Sequence, residues 1–126
     1  MKPGQGRPQD IRERCFAFSL RAVRLYQHLQ AGKDRAGWVL GEQFMRAATS
    51  VGANMEEAQA AESKSDFIHK CGIARKEARE SLYWLRLLSG ADLLPAVQLA
   101  PLIREADEIV SVVTAIILSA KGGGRR

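Results

Sequence analysis

A chain of 126 residues is the length of one domain, enough to bury roughly two-thirds of the surface its unfolded form exposes, so a core forms without staples. Its only cysteines, Cys15 and Cys71, lack the paired spacing of a disulfide framework or zinc knuckle and read as reduced thiols of a cytoplasmic protein. The polar start Met1-Lys2-Pro3-Gly4-Gln5-Gly6-Arg7-Pro8 has no apolar run behind it. The greasiest stretch, residues 109–120, is broken by Ser111, Thr114 and Ser119 and falls short of the ~20 residues of a membrane span, which argues against export and against a membrane protein.

Residues 1–9 read as a flexible basic N-terminus. Beyond them Ile11, Cys15, Phe18, Ala22, Leu25 and Leu29 recur in steps of four and three, the stripe of a first helix, with Asp10 and Glu13 spaced as a capping box. The breaker Ala31-Gly32-Lys33-Asp34 follows, Asp34 being suited to cap a second helix whose stripe is Leu40, Phe44, Ala47, Val51, Met55 and Ala58. A third stripe, Phe67, Cys71, Ala74, Ala78, Ser81, Leu85 and Leu88, is entered through Ser63-Lys64-Ser65-Asp66 and left at Ser89-Gly90. The fourth is Leu99, Leu102, Ala106, Ile109, Val113, Ile116 and Ala120. Pro95 and Pro101 predict a short turn near 95–100 with the main helix beginning at about Pro101. Residues 122–126 read as a disordered basic tail. No segment alternates as a strand does. The expected fold is all-α, an antiparallel up-down-up-down four-helix bundle over residues 10–121.

More apolar surface is present than one core uses. Phe16, Leu20 and Val23 lie off the first stripe, Trp38, Gly41, Met45, Ala48 and Gly52 form a second line on the second helix, and Ile73, Trp84 and Leu87 lie off the third stripe. Extra apolar faces of this kind predict self-association; in a closed ring the interface is heterologous, each subunit offering two different patches. Asn54 falls on the core arc beside Val51 and Met55, where a buried amide needs a partner; its expected role is structural, fixing register or tying the second helix to a neighbour.

The net charge of +5 is uneven: the first and third helical regions are basic, the second and fourth acidic, a pattern that favours antiparallel neighbours. Arg75, Arg79 and Arg86 share a narrow arc of the third helix with Lys64 near its start, and Arg14, Arg21 and Arg24 share an arc of the first. Rows of guanidinium groups suit phosphate oxygens, so RNA or DNA is a candidate partner, bound largely without regard to sequence because no aromatic platform or base-reading motif stands out. Chemistry is not signalled. A di-iron bundle needs several carboxylates with Glu-x-x-His pairs; only Asp66-x-x-His69 is similar, and His28 and His69 are the only histidines. No phosphate loop or nucleophile elbow is present, and the adjacent Glu56 and Glu57 point in different directions. The expectation is a protein with no catalytic residues, no metal and no cofactor.

The stretch Ser50-Val51-Gly52-Ala53-Asn54-Met55-Glu56-Glu57-Ala58, followed by Ser63-Lys64-Ser65-Asp66-Phe67-Ile68, resembles the hallmark of a bacterial four-helix-bundle family. That family includes proteins encoded in intervening sequences of 23S ribosomal RNA genes and the accessory variability determinant of diversity-generating retroelements. Residues 74–85 are similar to its third helix and 102–106 to the opening of its fourth; the departures are Gly52 and Met55, where Pro and Ile are common, and Pro101. The resemblance implies a homopentameric, barrel-like ring and no known enzymatic activity. In the retroelement branch it implies a basic surface that contacts nucleic acid and a reverse transcriptase, a role that Arg75, Arg79 and Arg86 match by position. The rival expectation is a protein-protein adaptor with no nucleic-acid role.

Overall fold

In a computed structural model the described residues are 10–122, and they form four helices: α1 (Ile11–Ala31), α2 (Arg35–Gln59), α3 (Lys64–Gly90) and α4 (Ala96–Ala120). The N-terminus read as flexible, residues 1–9, and residues 123–126 of the expected tail lie outside the described residues. Among the described residues α1 packs on α2, α2 on α3 and α3 on α4. The α1–α4 seam is the least extensive of these, and the diagonal pairs keep their Cα atoms more than 8 Å apart. This is the expected antiparallel bundle.

Local sequence sets the helix starts. Asp10 accepts the Arg12 backbone N–H at 2.9 Å, Asp34 accepts those of Ala36 and Gly37, and Ser63 Oγ accepts that of Asp66 at 3.0 Å. Each side chain satisfies donors that the first helical turn leaves unpaired. Asp10 spends its second oxygen on the Arg12 guanidinium at 3.0 Å, so it pairs with Arg12 rather than forming the reciprocal box with Glu13.

Two ends differ from expectation. The third helix runs through Gly90, and its left-handed residue is Asp92 (φ 59°). The Leu93 N–H then reaches Leu88 O at 3.0 Å and the Asp92 N–H reaches Ser89 O at 3.0 Å, a Schellman closure that turns the chain and carries Leu94 into the core. The fourth helix does not wait for Pro101: it begins at Ala96 and includes that proline. Pro101 deletes one donor, the one that would reach the Val97 carbonyl, and Val97 is 82% exposed, so the loss falls on a solvent-facing turn.

All of the first stripe is buried, with Phe18 meeting Phe44 edge-on at 5.9 Å. Leu40 and Phe67 are only half-buried at the rim of the core, and in α4 the deep position is Ile117, with Ile116 packed beside it. A strict three-four step drifts on a straight helix of 3.6 residues per turn, and Ile117 restores the face. Buried Ser81 donates its hydroxyl to Glu77 O at 2.9 Å, the bond that lets a polar group sit in the stripe. No helix among the described residues is long and apolar enough to cross a membrane.

Candidate nucleic-acid interface

The arginines that share a sequence arc do not share a fate. Arg14 turns onto α4: its Nε and Nη2 donate to the two carboxylate oxygens of Glu105 at 3.1 and 2.6 Å, and Nη2 also donates to Glu108 at 2.8 Å. Those hydrogen bonds hold its pKa above even the usual guanidinium value. Arg14, one of the expected phosphate contacts, is therefore paired within the chain and closes the thin α1–α4 seam. Arg75 is half-buried against the same helix from the other side, donating to Thr114 Oγ1 at 3.4 Å.

Arg21, Arg24, Lys64, Arg79 and Arg86 are exposed and make no salt bridge among the described residues. On α3 the pattern sharpens. From His69 onward the exposed residues are His69, Lys76, Arg79, Tyr83, Arg86 and Gly90, while Glu77 and Glu80 are half-buried. Lys76, Arg79, Tyr83 and Arg86 stand at i, i+3, i+7 and i+10, one ridge about 15 Å long. Glu80 accepts the Trp84 indole N–H at 3.1 Å, which holds that carboxylate beside Trp84. Lys76 and Tyr83 were not singled out from the sequence. Their heptad spacing was visible there, but an aromatic residue in a helix reads as core until its exposure, here 54%, is known.

The apolar candidates also divide. Phe16 (66% exposed) and Leu20 (41%) stand out from α1, with Val23 half-buried beyond them. Trp38 is partly exposed but fixes its own turn, its indole N–H reaching Gly32 O at 2.9 Å. Gly41 and Ala48 are buried inside the bundle. Gly52 lies where a Cβ would meet Ser19 Oγ at 3.3 Å and Cys15 Cβ at 3.6 Å, so its smallness serves the α1–α2 approach within one chain. Gly52 also floors a groove of about 280 Å³ with Phe16, Arg12, Thr49 and Glu56 at its walls. Met45, Ile73 and Leu87 are half-buried, and Trp84 packs on the core. Asn54 is half-buried rather than buried; it donates to Ser50 O at 2.9 Å and Ser50 Oγ at 3.1 Å, so it ties α2 to its own preceding turn instead of to a neighbouring helix.

Cys15 and Cys71 are free and buried; burial pushes the Cys15 thiol up to about 12 and the Cys71 thiol up as well. No group of three or more potential metal ligands gathers among the described residues.

Residues 7–115 match the family described as 23S rRNA-intervening sequence protein. The chain belongs to that family. A solved structure with which it shares 35% identity and a TM-score of 0.78, over 86% of this chain and 98% of the other, is described as a protein with unknown function from the S23 ribosomal protein family of Bacteroides thetaiotaomicron. A comparison with curated proteins returned no match. The family match covers most of the bundle, including α1 with Arg21 and Arg24 and α3 with Arg79 and Arg86, and residues 50–58 lie on α2, which packs on both α1 and α3.

Proposed function

We propose that this member of the family is a non-enzymatic, ring-forming cytoplasmic bundle that binds nucleic acid through phosphate contacts from α3, extended by Arg21 and Arg24 of α1. The observation that carries the reading is the α3 ridge: from His69 to Gly90 no exposed residue is a carboxylate, although α3 contains Glu77 and Glu80. A phosphate approaching the ridge meets Lys76, Arg79 and Arg86 unpaired, and each contact releases condensed counterions. Repeated around an oligomer, the ridge becomes a band of positive potential that steers a polyanion. A homopentamer of this kind, working as an accessory to an RNA-processing or reverse-transcribing partner, is the form the reading takes in full.

The test is the affinity of the purified protein for a structured RNA and a duplex DNA at several salt concentrations, with the particle mass read by light scattering. The expected result is an oligomer whose binding weakens steeply with salt. Arg79→Glu combined with Arg86→Glu should abolish binding without altering the mass. An oligomer indifferent to both nucleic acids overturns the proposal.

A second reading, a protein-protein adaptor, draws on the exposed Phe16 and the groove beneath it. A partner that stays bound at high salt, where phosphate contacts are lost, and leaves on Phe16→Asp favours it.

A further inference from the structure

Tyr83 does not serve the core. Its ring is 54% exposed at the middle of the cationic ridge, with Arg79 one turn before it, Arg86 one turn after it and Lys76 two turns before it. Most surface aromatics swing freely, but this one is buttressed. The Trp84 ring meets it edge-on, with centroids 5.2 Å apart and planes at 69°, and Trp84 is itself fixed by packing on the core and by its hydrogen bond to Glu80. The result is an aromatic ring more than half exposed, braced by Trp84, between cations that make no salt bridge among the described residues.

We propose that Tyr83 is a stacking platform for an unpaired base, which makes single-stranded nucleic acid, or the looped segment of a folded one, the preferred ligand of the ridge. The inference rests on the phosphate-binding reading above and adds the ligand class to it. A base in a duplex keeps its faces inside the stack and can offer Tyr83 nothing, whereas an unpaired base has a free π-face for any aromatic ring. The neighbouring phosphates of the same strand then fall within reach of Arg79 and Arg86, so one short segment satisfies both kinds of contact. Stacking of this kind tolerates every base, consistent with a ridge that carries no amide or carboxylate on its exposed line to read a base edge.

The test compares an oligouridylate of roughly twelve nucleotides with a loop-free duplex of two annealed strands at equal phosphate concentration, bound to the full chain and to Tyr83→Ala, Tyr83→Phe and Arg79→Glu/Arg86→Glu, each checked for an unchanged melting temperature. The expected result is a loss of about tenfold in oligouridylate affinity for Tyr83→Ala. Retention is expected for Tyr83→Phe, no change for Tyr83→Ala on the loop-free duplex, and loss of both ligands for the double charge reversal. A 2-aminopurine placed in the oligonucleotide should be quenched on binding to the unaltered chain and not to Tyr83→Ala. Equal oligouridylate affinity for Tyr83→Ala, with the double reversal still abolishing it, overturns the stacking role and leaves phosphate binding standing. Binding of polyglutamate in preference to both nucleic acids assigns the ridge to an acidic protein partner and overturns this inference together with the reading beneath it.

Discussion

Arg14→Met and Arg79→Met should separate two arginines that look alike in the sequence. Methionine keeps most of the alkyl stem and removes the charge. In Arg14→Met, Glu105 loses a bidentate partner at a site where the two side chains are only 20% and 22% exposed. Exposed ion pairs contribute roughly 0.2–1 kcal/mol, and breaking a buried one costs about 3–5 kcal/mol. At this exposure the loss is about 1–2 kcal/mol, and Glu108, 62% exposed, adds little. For a domain of this size that lowers the melting temperature by about 4–8 °C. The difference should persist in high salt, since a partly buried pair is screened less than a surface pair. Nucleic-acid affinity should change by less than about twofold, a shift within ~0.4 kcal/mol. Arg79→Met should do the reverse: stability within about 0.5 kcal/mol of the parent, with weaker binding and a salt slope shallower by about 0.7–0.9 per lost phosphate contact. Thermal denaturation and salt-dependent anisotropy titrations on the two variants give all four values. If Arg14→Met melts like the parent and weakens binding as much as Arg79→Met does, the division of the arginines into seam and surface is wrong.

Asp92→Gly should raise stability by about 1 kcal/mol in chemical denaturation, because Asp92 sits at φ 59° where only glycine avoids the Cβ cost. Gly72→Ala, whose Cβ meets nothing within 4 Å, should stabilise α3 by about 0.5–1 kcal/mol; Gly41→Ala should not, since its Cβ would lie 2.8 Å from Leu29 Cδ1 in a buried position, a crowding cost of about 1–3 kcal/mol. Both thiols should resist an aromatic disulfide reagent in the native state at neutral pH and react on denaturation. Cys15 also sets an alkaline limit. Burial holds its thiol at about 12, above the ordinary 9.0, so its contribution is complete below pH 9 and is lost as pH rises from 9 towards 12, a fall that Cys15→Ala should flatten.

Periodicity and capping are local, and they carried most of the fold into view before any contact was known. The first stripe is buried throughout, and Asp10, Asp34 and Ser63 cap the helices they precede, because a side chain reaching a donor two or three residues away needs no tertiary partner. The end of α3 was less legible: Gly90 is the expected stop, yet the left-handed residue lies two positions later, where the chain turns to pack Leu93 on the core and bury Leu94.

Four helices, their apolar faces and the basic character of α1 and α3 are legible from the order of residues, since each depends on spacing at 3.6 per turn and on charge. Which cation is paired within the chain and which stays exposed depends instead on how the helices pack. Arg14 finds Glu105, 91 residues away, because α4 closes against α1, while Arg79 and Tyr83 stay exposed. Spacing along one helix says which residues share a face, but not what lies opposite that face. Pairing and exposure depend on a second helix arriving from far along the chain.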